Sequence, residues 1–194
     1  LSGNIKIIDA SWHFLSKRNG FKEYQKEHIK NAIFFDLEKH SNQQKNLPHN
    51  HFLPKKSDWE KALSEMGVSN DDKVVIYDNS DLITSCRCWF QFLYFGHRPD
   101  LVFILDGGLK KWKLENRKIT NKETKIKPSK YFAKENTHMI KTKLQNPLAE
   151  ALLHGDFADG DVIVQRGTVR LNRLSVFLSC MNYYIISPSA RAHT

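Results

Sequence analysis

The sequence predicts an α/β fold in which a central, mainly parallel sheet is flanked by helices. Three observations carry this. Short apolar runs rich in Ile, Val and Phe recur at residues 5–9, 32–35, 73–77 and 101–105. Segments with helical patterning lie between them. The first three runs lead into an aspartate and the last into Asp-Gly-Gly. Strands that alternate with helices are joined by crossovers, and crossovers make neighbouring strands parallel.

Each element has a local reason. Ile5-Lys6-Ile7-Ile8-Asp9 reads as a short buried strand ending in an acidic turn. Phe21 to Ile29 reads as a helix, and Ala32-Ile33-Phe34-Phe35 as a second strand closing on Asp36. Residues 39–54 are polar, with Asn, Gln, Ser and Pro, and read as a long loop. Ser57 is a candidate N-cap, with Glu60 completing a capping box. That helix runs through Trp59, Leu63 and Met66 to a stop at Gly67.

Lys73 to Tyr77 is a β-branched strand, followed by the turn Asp78-Asn79-Ser80-Asp81. Cys86 to Phe95 is almost wholly apolar and stops at Gly96, the pattern of a buried helix. Leu101 to Leu105 is the next strand, Asp106-Gly107-Gly108 a turn, and Leu109 to Glu115 a short helix. From Arg117 to Lys143 the chain is Lys-rich without a period and reads as an extended connector. Trp89 and Trp112 read as core.

Composition limits the function classes. The 194 residues are 40% hydrophobic and 26% charged, enough for one real core. No run of about 18 apolar residues exists, so no membrane partner is expected. Three cysteines, Cys86, Cys88 and Cys180, make no disulfide framework, and no export signal opens the chain. Both point to a reducing, cytoplasmic setting. A Cys-x-Cys pair without a second pair does not make a zinc site, so no metal is expected and the cysteines read as structural. On a helix, residues two apart diverge, so one of the pair should face the core. Arg87 between them reads as a surface charge or, alternatively, an anion contact.

The net charge of +9 favours small anionic partners. The lysines are scattered, and no basic run interleaves with aromatics, so nucleic acid is not the expected partner. In a parallel sheet, ligands sit beyond the carboxyl ends of the strands. Asp9, Asp36 and Asp78 are delivered there. Alternatively, they are solvated turn formers or helix caps.

The motifs then become specific. Ile-Ile-Asp-Ala-Ser-Trp (7–12), Glu-Tyr-x-x-x-His-Ile-x-x-Ala (23–32) and Phe-Phe-Asp-Leu (34–37) stand in order. They are followed by Leu-Pro-His (47–49), Phe-Leu-Pro (52–54), Val-Val-Ile-Tyr-Asp (74–78) and Leu-Asp-Gly-Gly-Leu-x-x-Trp (105–112). Over residues 5–135 this resembles the N-terminal domain of the tandem rhodanese sulfurtransferases, which act on 3-mercaptopyruvate or thiosulfate.

The resemblance implies a rhodanese-like domain at 1–120, a connector at 121–143 and a tail at 144–194. It implies a small anionic sulfur donor, a thiol or cyanide acceptor, a cysteine persulfide, and no metal or organic cofactor. Asp78 matches the position of the nucleophilic cysteine, which in this family lies in the C-terminal domain. A carboxylate carries no persulfide. In the mercaptopyruvate branch an Asp and a His of the N-terminal domain reach the catalytic cysteine across the domain interface. Asp36 matches the Asp. The His matches either His49, on spacing from Asp36, or His51, on continuity with the Leu-Pro that follows.

No second rhodanese domain follows in this sequence. Residues 144–164 instead resemble the extreme C-terminal segment of ClpB-type disaggregases. This chain alone is therefore expected to be inactive, lacking its C-terminal rhodanese partner. Two other readings stand beside this one: a non-catalytic rhodanese-like binding or regulatory module, and a module that binds anions or nucleic acid.

Overall fold

The computed structural model describes residues 4–13, 16–42, 44, 51–80 and 84–140. The elements run β1 (Ile5–Asp9), α1 (Gly20–Lys26), β2 (His28–Ile29), β3 (Ala32–Phe34), α2 (Lys56–Glu65), β4 (Lys73–Tyr77), α3 (Thr84–Tyr94), β5 (Val102–Ile104), α4 (Gly108–Leu114) and β6 (Ile119–Thr120). Four strands form one parallel sheet in the order β3-β1-β4-β5. The expected α/β class and its parallel sheet are therefore present. His49 and residues 144–194, including Cys180, lie outside the described residues.

The sheet centre follows from composition. In β4 Val74, Ile76 and Tyr77 of Lys-Val-Val-Ile-Tyr are buried, as befits a central strand of a parallel sheet. Ile8, Val74, Ile76 and Tyr77 are fully enclosed. Trp59 of α2, Phe92 of α3 and Phe95 just past its end, all 0% exposed, form one aromatic cluster. Trp59 stacks on Phe95 at 4.9 Å and meets Phe92 edge-on at 5.4 Å.

Three helix ends differ from the sequence reading by two residues or more. The first helix ends at Lys26, because Glu27 turns extended at φ −159°, ψ 131°. His28 and Ile29 then pair antiparallel with β6. The second helix starts at Lys56 with Lys55 as an N-cap that makes no side-chain bond, so Ser57 lies inside the helix. Glu60 does not close a capping box; its Oε1 accepts the backbone N–H of Ala133 at 2.8 Å. The buried helix begins two residues earlier than read, at Thr84.

Residues 123–136 form neither helix nor strand, and the compact unit reaches Asn136. Ser129 donates its N–H to Ser64 O, and Lys134 and Asn136 donate theirs to Phe95 O and Tyr94 O. His97 anchors this strap from within, with Nδ1 3.2 Å from the Tyr131 hydroxyl and Nε2 3.0 Å from Asp72 O. The strap passes close to the ends of two helices. A Cβ on Gly67 would lie 2.5 Å from Lys127 O, and one on Gly96 2.6 Å from Lys134 O. Both glycines also have left-handed backbone, at φ +68° and +82°. The sequence placed both glycines as helix stops; their second role, leaving room for the strap, is visible only in the fold.

Candidate functional site

The carboxyl ends of β1, β3 and β4 deliver Asp9, Asp36 and Asp78 to one edge of the sheet. They do different things there. Asp9 is 1% exposed, so it is not a solvated turn former. Its Oδ1 accepts from Ser11 N at 2.9 Å, and burial pushes its pKa up against the hydrogen bonds of Ser11 and Tyr77.

Asp78 stands in the turn between β4 and α3. Its Oδ2 accepts the N–H of Ser85 at 2.6 Å, and its Oδ1 the N–H of Ser80 at 3.4 Å. The carboxylate thus occupies the start of α3, where unsatisfied N–H groups favour negative charge. Burial nevertheless raises its pKa, opposed by these bonds. The turn is tightly built. Leu109 donates its N–H to Asp78 O at 2.9 Å, and a Cβ on Gly108 would stand 2.5 Å from that oxygen.

A hydroxyl chain fixes the neighbouring loop. Thr84 Oγ1 donates to Ala10 O at 2.7 Å, so Ser80 Oγ is left to donate to Thr84 Oγ1, also at 2.7 Å. Ser80 Oγ in turn accepts the N–H of Trp12. Farther out, Arg18 grips Glu23 at 2.8 Å through both Nε and one terminal nitrogen, and this guanidinium holds the Glu23 carboxyl below its ordinary range.

Asp36 does not reach His51. Its Oδ1 accepts the N–H groups of Glu38 and Lys39 at 3.0 and 3.2 Å, which winds the chain into a tight turn. The carboxylate facing His51 is Glu38, with Oε1 3.9 Å from Nε2. His51 has left-handed backbone at φ +69°, and its ring meets Trp12 edge-on at 4.8 Å. Arg87 donates to His51 O at 2.5 Å. Burial lowers the His51 pKa; Glu38 works against that and Arg87 with it.

Arg87 is therefore not a surface charge; it is 8% exposed. Cys86 and Cys88 are both buried, not one of the two, because α3 lies between other layers on most of its circumference. Burial raises the Cys88 thiol well above its ordinary pKa. Trp89 and Trp112 are half-buried, and Trp112 packs against the core cluster of Ile29, Ala32, Tyr77 and Leu109. Among the described residues no cluster of His, Cys, Asp or Glu has the make-up of a metal site, and no helix is long and apolar enough to cross a membrane.

The sequence reading missed Glu38, His40 and Trp12. Glu38 lies two residues past Asp36, and a turn, not a period, brings it round. His40 packs on Phe35 at 4.8 Å, and burial, aided by Lys39 and opposed by Asp36 and Glu65, pushes its pKa down to about 4.

That shift has a measurable consequence. A histidine depressed in the folded state contributes stability above its ordinary pKa of 6.5, and loses it as pH falls toward about 4. Asp9 and Asp78, raised by burial, act with the opposite sign, so the comparison must isolate His40. Relative to its own value at about pH 7, the His40→Asn variant is expected to lose less stability by about pH 4.5 than the parent does. Urea midpoints of both proteins at the two pH values check this. Parallel losses would place the acid sensitivity elsewhere.

The chain matches the family model described as the rhodanese-like domain over residues 2–115. It is 42% identical over 111 residues to thiosulfate/3-mercaptopyruvate sulfurtransferase 2 of Arabidopsis thaliana, covering 57% of this chain and 31% of that one. It is 33% identical over 144 residues to the thiosulfate sulfurtransferase of Mus musculus, covering 73% of this chain and 47% of that one. Among solved structures it is similar to SseA from Escherichia coli, described under the rhodanese fold and the mechanism of the 3-mercaptopyruvate sulfotransferases. That likeness has a TM-score of 0.65 and 30% identity, and covers 77% of this chain and 54% of that one. The chain thus spans roughly a third to a half of the length of these curated relatives. The family match takes in the whole four-stranded sheet and the three aspartates at its edge, and the chain belongs to the rhodanese-like domain family.

Proposed function

We propose that this chain is the supporting, non-nucleophilic half of a tandem sulfurtransferase that moves sulfane sulfur from 3-mercaptopyruvate or thiosulfate to a thiol or cyanide. The observation that carries the reading is Asp78. It stands where the family resemblance puts the nucleophile, and its carboxylate takes the Ser85 N–H at the start of α3. Cys86 and Cys88 lie on α3 itself, buried, and Cys88 is held in its protonated, unreactive form.

In the complete enzyme a cysteine thiolate of the partner rhodanese domain attacks the donor's sulfur. The donor's carbon–sulfur bond breaks, and the pyruvate enolate that leaves takes up a proton. With thiosulfate the sulfur–sulfur bond breaks and sulfite leaves. The acceptor thiolate then attacks the outer sulfur of the persulfide and frees the cysteine. The supporting half offers a histidine, His51 or His49, from the loop that Asp36 begins. That histidine holds the thiolate or moves the proton. No metal or organic cofactor is needed. The reduced, buried cysteines among the described residues fit a cytoplasmic setting.

The test is a pair of assays. The purified 194-residue chain is expected to give no pyruvate from mercaptopyruvate and no thiocyanate from thiosulfate and cyanide. The same chain joined to a cysteine-bearing rhodanese domain of a close relative is expected to turn over. Cysteine-dependent turnover by the chain alone would overturn the reading.

A further inference from the structure

We propose that the strap over residues 129–136 is an acid-released latch whose catch is His97: a proton taken up by His97 parts it from Tyr131 and frees the strap from the domain. None of the residues involved takes part in the proposed sulfur transfer.

His97 is 2% exposed, and its Nε2 faces Asp72 O at 3.0 Å. A carbonyl only accepts, so Nε2 carries the proton and the neutral ring keeps a bare Nδ1. Tyr131, also 2% exposed, donates its hydroxyl to that nitrogen at 3.2 Å. The Trp59 indole N–H, buried without a partner in ordinary geometry, already presents positive charge to the same hydroxyl oxygen. Tyr131 and Ala133 are the only buried residues from 129 to 136, so the tyrosine is the one large side chain that seats the strap. The rest of the hold is hydrogen bonding that water can replace: the N–H groups of Phe132 and Ala133, for example, go to Asn70 Oδ1 and Glu60 Oε1.

Protonation inverts the catch. Both ring nitrogens then donate, so the Tyr131 oxygen faces two N–H groups and its own O–H loses its acceptor. A buried cation and a buried unpaired donor both oppose closure. No carboxylate offsets them by contact, because the oxygens of Asp72 accept the N–H groups of Asn4 and Ser69. The charged groups facing the ring are Asp71 and Asp72, which favour its cation, and Arg98, which opposes it; Phe92, edge-on at 5.4 Å from α3, adds no charge. Burial outweighs the aspartates and keeps the ring neutral. Once freed, residues 129–136 lengthen the connector by ~26–29 Å of extended reach.

The test is amide hydrogen exchange by NMR in the full 194-residue chain, read as protection factors. In the opened strap His97 meets water and recovers its ordinary pKa of 6.5, whereas burial holds it lower in the closed one. Opening therefore rises as pH falls below that value. From about pH 7.5 to about pH 5.5 the protection of Ser129, Tyr131, Phe132, Ala133 and Lys134 is expected to drop by about five- to tenfold. That of Lys111 and Glu115 on α4, whose N–H groups bond within their own helix, should stay within about twofold. His97→Gln keeps a donor for Asp72 O but cannot titrate, and should flatten the response. Tyr131→Phe keeps the ring without the hydroxyl, and should lower protection of the strap by about fivefold already at neutral pH. A flat strap in the parent, an undiminished response in His97→Gln, or unchanged protection in Tyr131→Phe would overturn the proposal. Should His97→Gln not fold, His40→Asn takes its place: the response should persist in that variant, and its loss there would assign the acid sensitivity to His40 and overturn the latch equally.

Discussion

His51→Asn, placed in a two-domain enzyme rebuilt with the cysteine-bearing rhodanese domain, is expected to slow sulfur transfer by about 10²–10⁴-fold, the usual loss when a positioned acid–base group is removed. The asparagine keeps a polar side chain of similar reach but cannot exchange a proton near neutral pH. The fold should tolerate it, because His51 lies in a loop outside the aromatic cluster and its backbone is held independently by Arg87. Left-handed backbone at φ +69° also suits asparagine better than most residues. His49→Asn is the control. If His51 is the functional histidine, that variant keeps most of the parental rate. The reverse pattern would transfer the role to His49. Rates within about twofold of the parent for both variants would reduce this half to a scaffold that shapes the other half's pocket, since a lost acid–base group costs far more than that. Steady-state rates with mercaptopyruvate, measured across pH, check all three outcomes.

The largest effect on stability is expected from Trp59→Ala, at about 3–5 kcal/mol. Trp59 is 0% exposed and joins α2 to α3 through Phe92 and Phe95 while touching Phe35 at 5.9 Å beside the sheet edge. Deleting the indole leaves a cavity walled by three rings that cannot all move inward, so the loss includes a void term as well as transfer. A domain of this size has about 5–15 kcal/mol in total, so the variant is expected to be marginal or unfolded at body temperature. Trp59→Phe should recover most of the loss. Thermal melts followed by near-ultraviolet dichroism measure the difference. A shift of only a few degrees for Trp59→Ala would mean that the cluster repacks easily.

The strands were legible because buried parallel strands are rich in β-branched and aromatic residues, and the runs read at Ile5–Asp9 and Lys73–Tyr77 match the strand bounds to the residue. Helix ends at Gly67 and Gly96 were legible for an equally local reason, the need for left-handed backbone. What failed was decided by distant partners. Glu60 has the right spacing for a capping box, but an N–H 73 residues away takes its carboxylate. Arg87 looks like a surface residue until the loop carbonyl of His51 is brought to it. The end of β4 at Asp78 could be placed from the pattern, whereas the meeting of Glu38, Trp12 and His51 depends on two turns whose directions no periodicity encodes.

The strap has a consequence for the order in which this protein is made. Every strand of the parallel sheet is contained in the first 104 residues, so the sheet can assemble while the chain is still being synthesised. His97 then sits in the interior with one ring nitrogen facing Asp72 O and the other waiting for Tyr131, which is 34 residues farther along. Ser64, Asn70 and Glu60 wait likewise for Ser129, Phe132 and Ala133. At about 5–20 residues per second, a nascent domain spends a few seconds with its sheet built and this flank still open to water. During that interval it is the half-closed domain, rather than the finished one, that meets chaperones, proteases and other nascent chains.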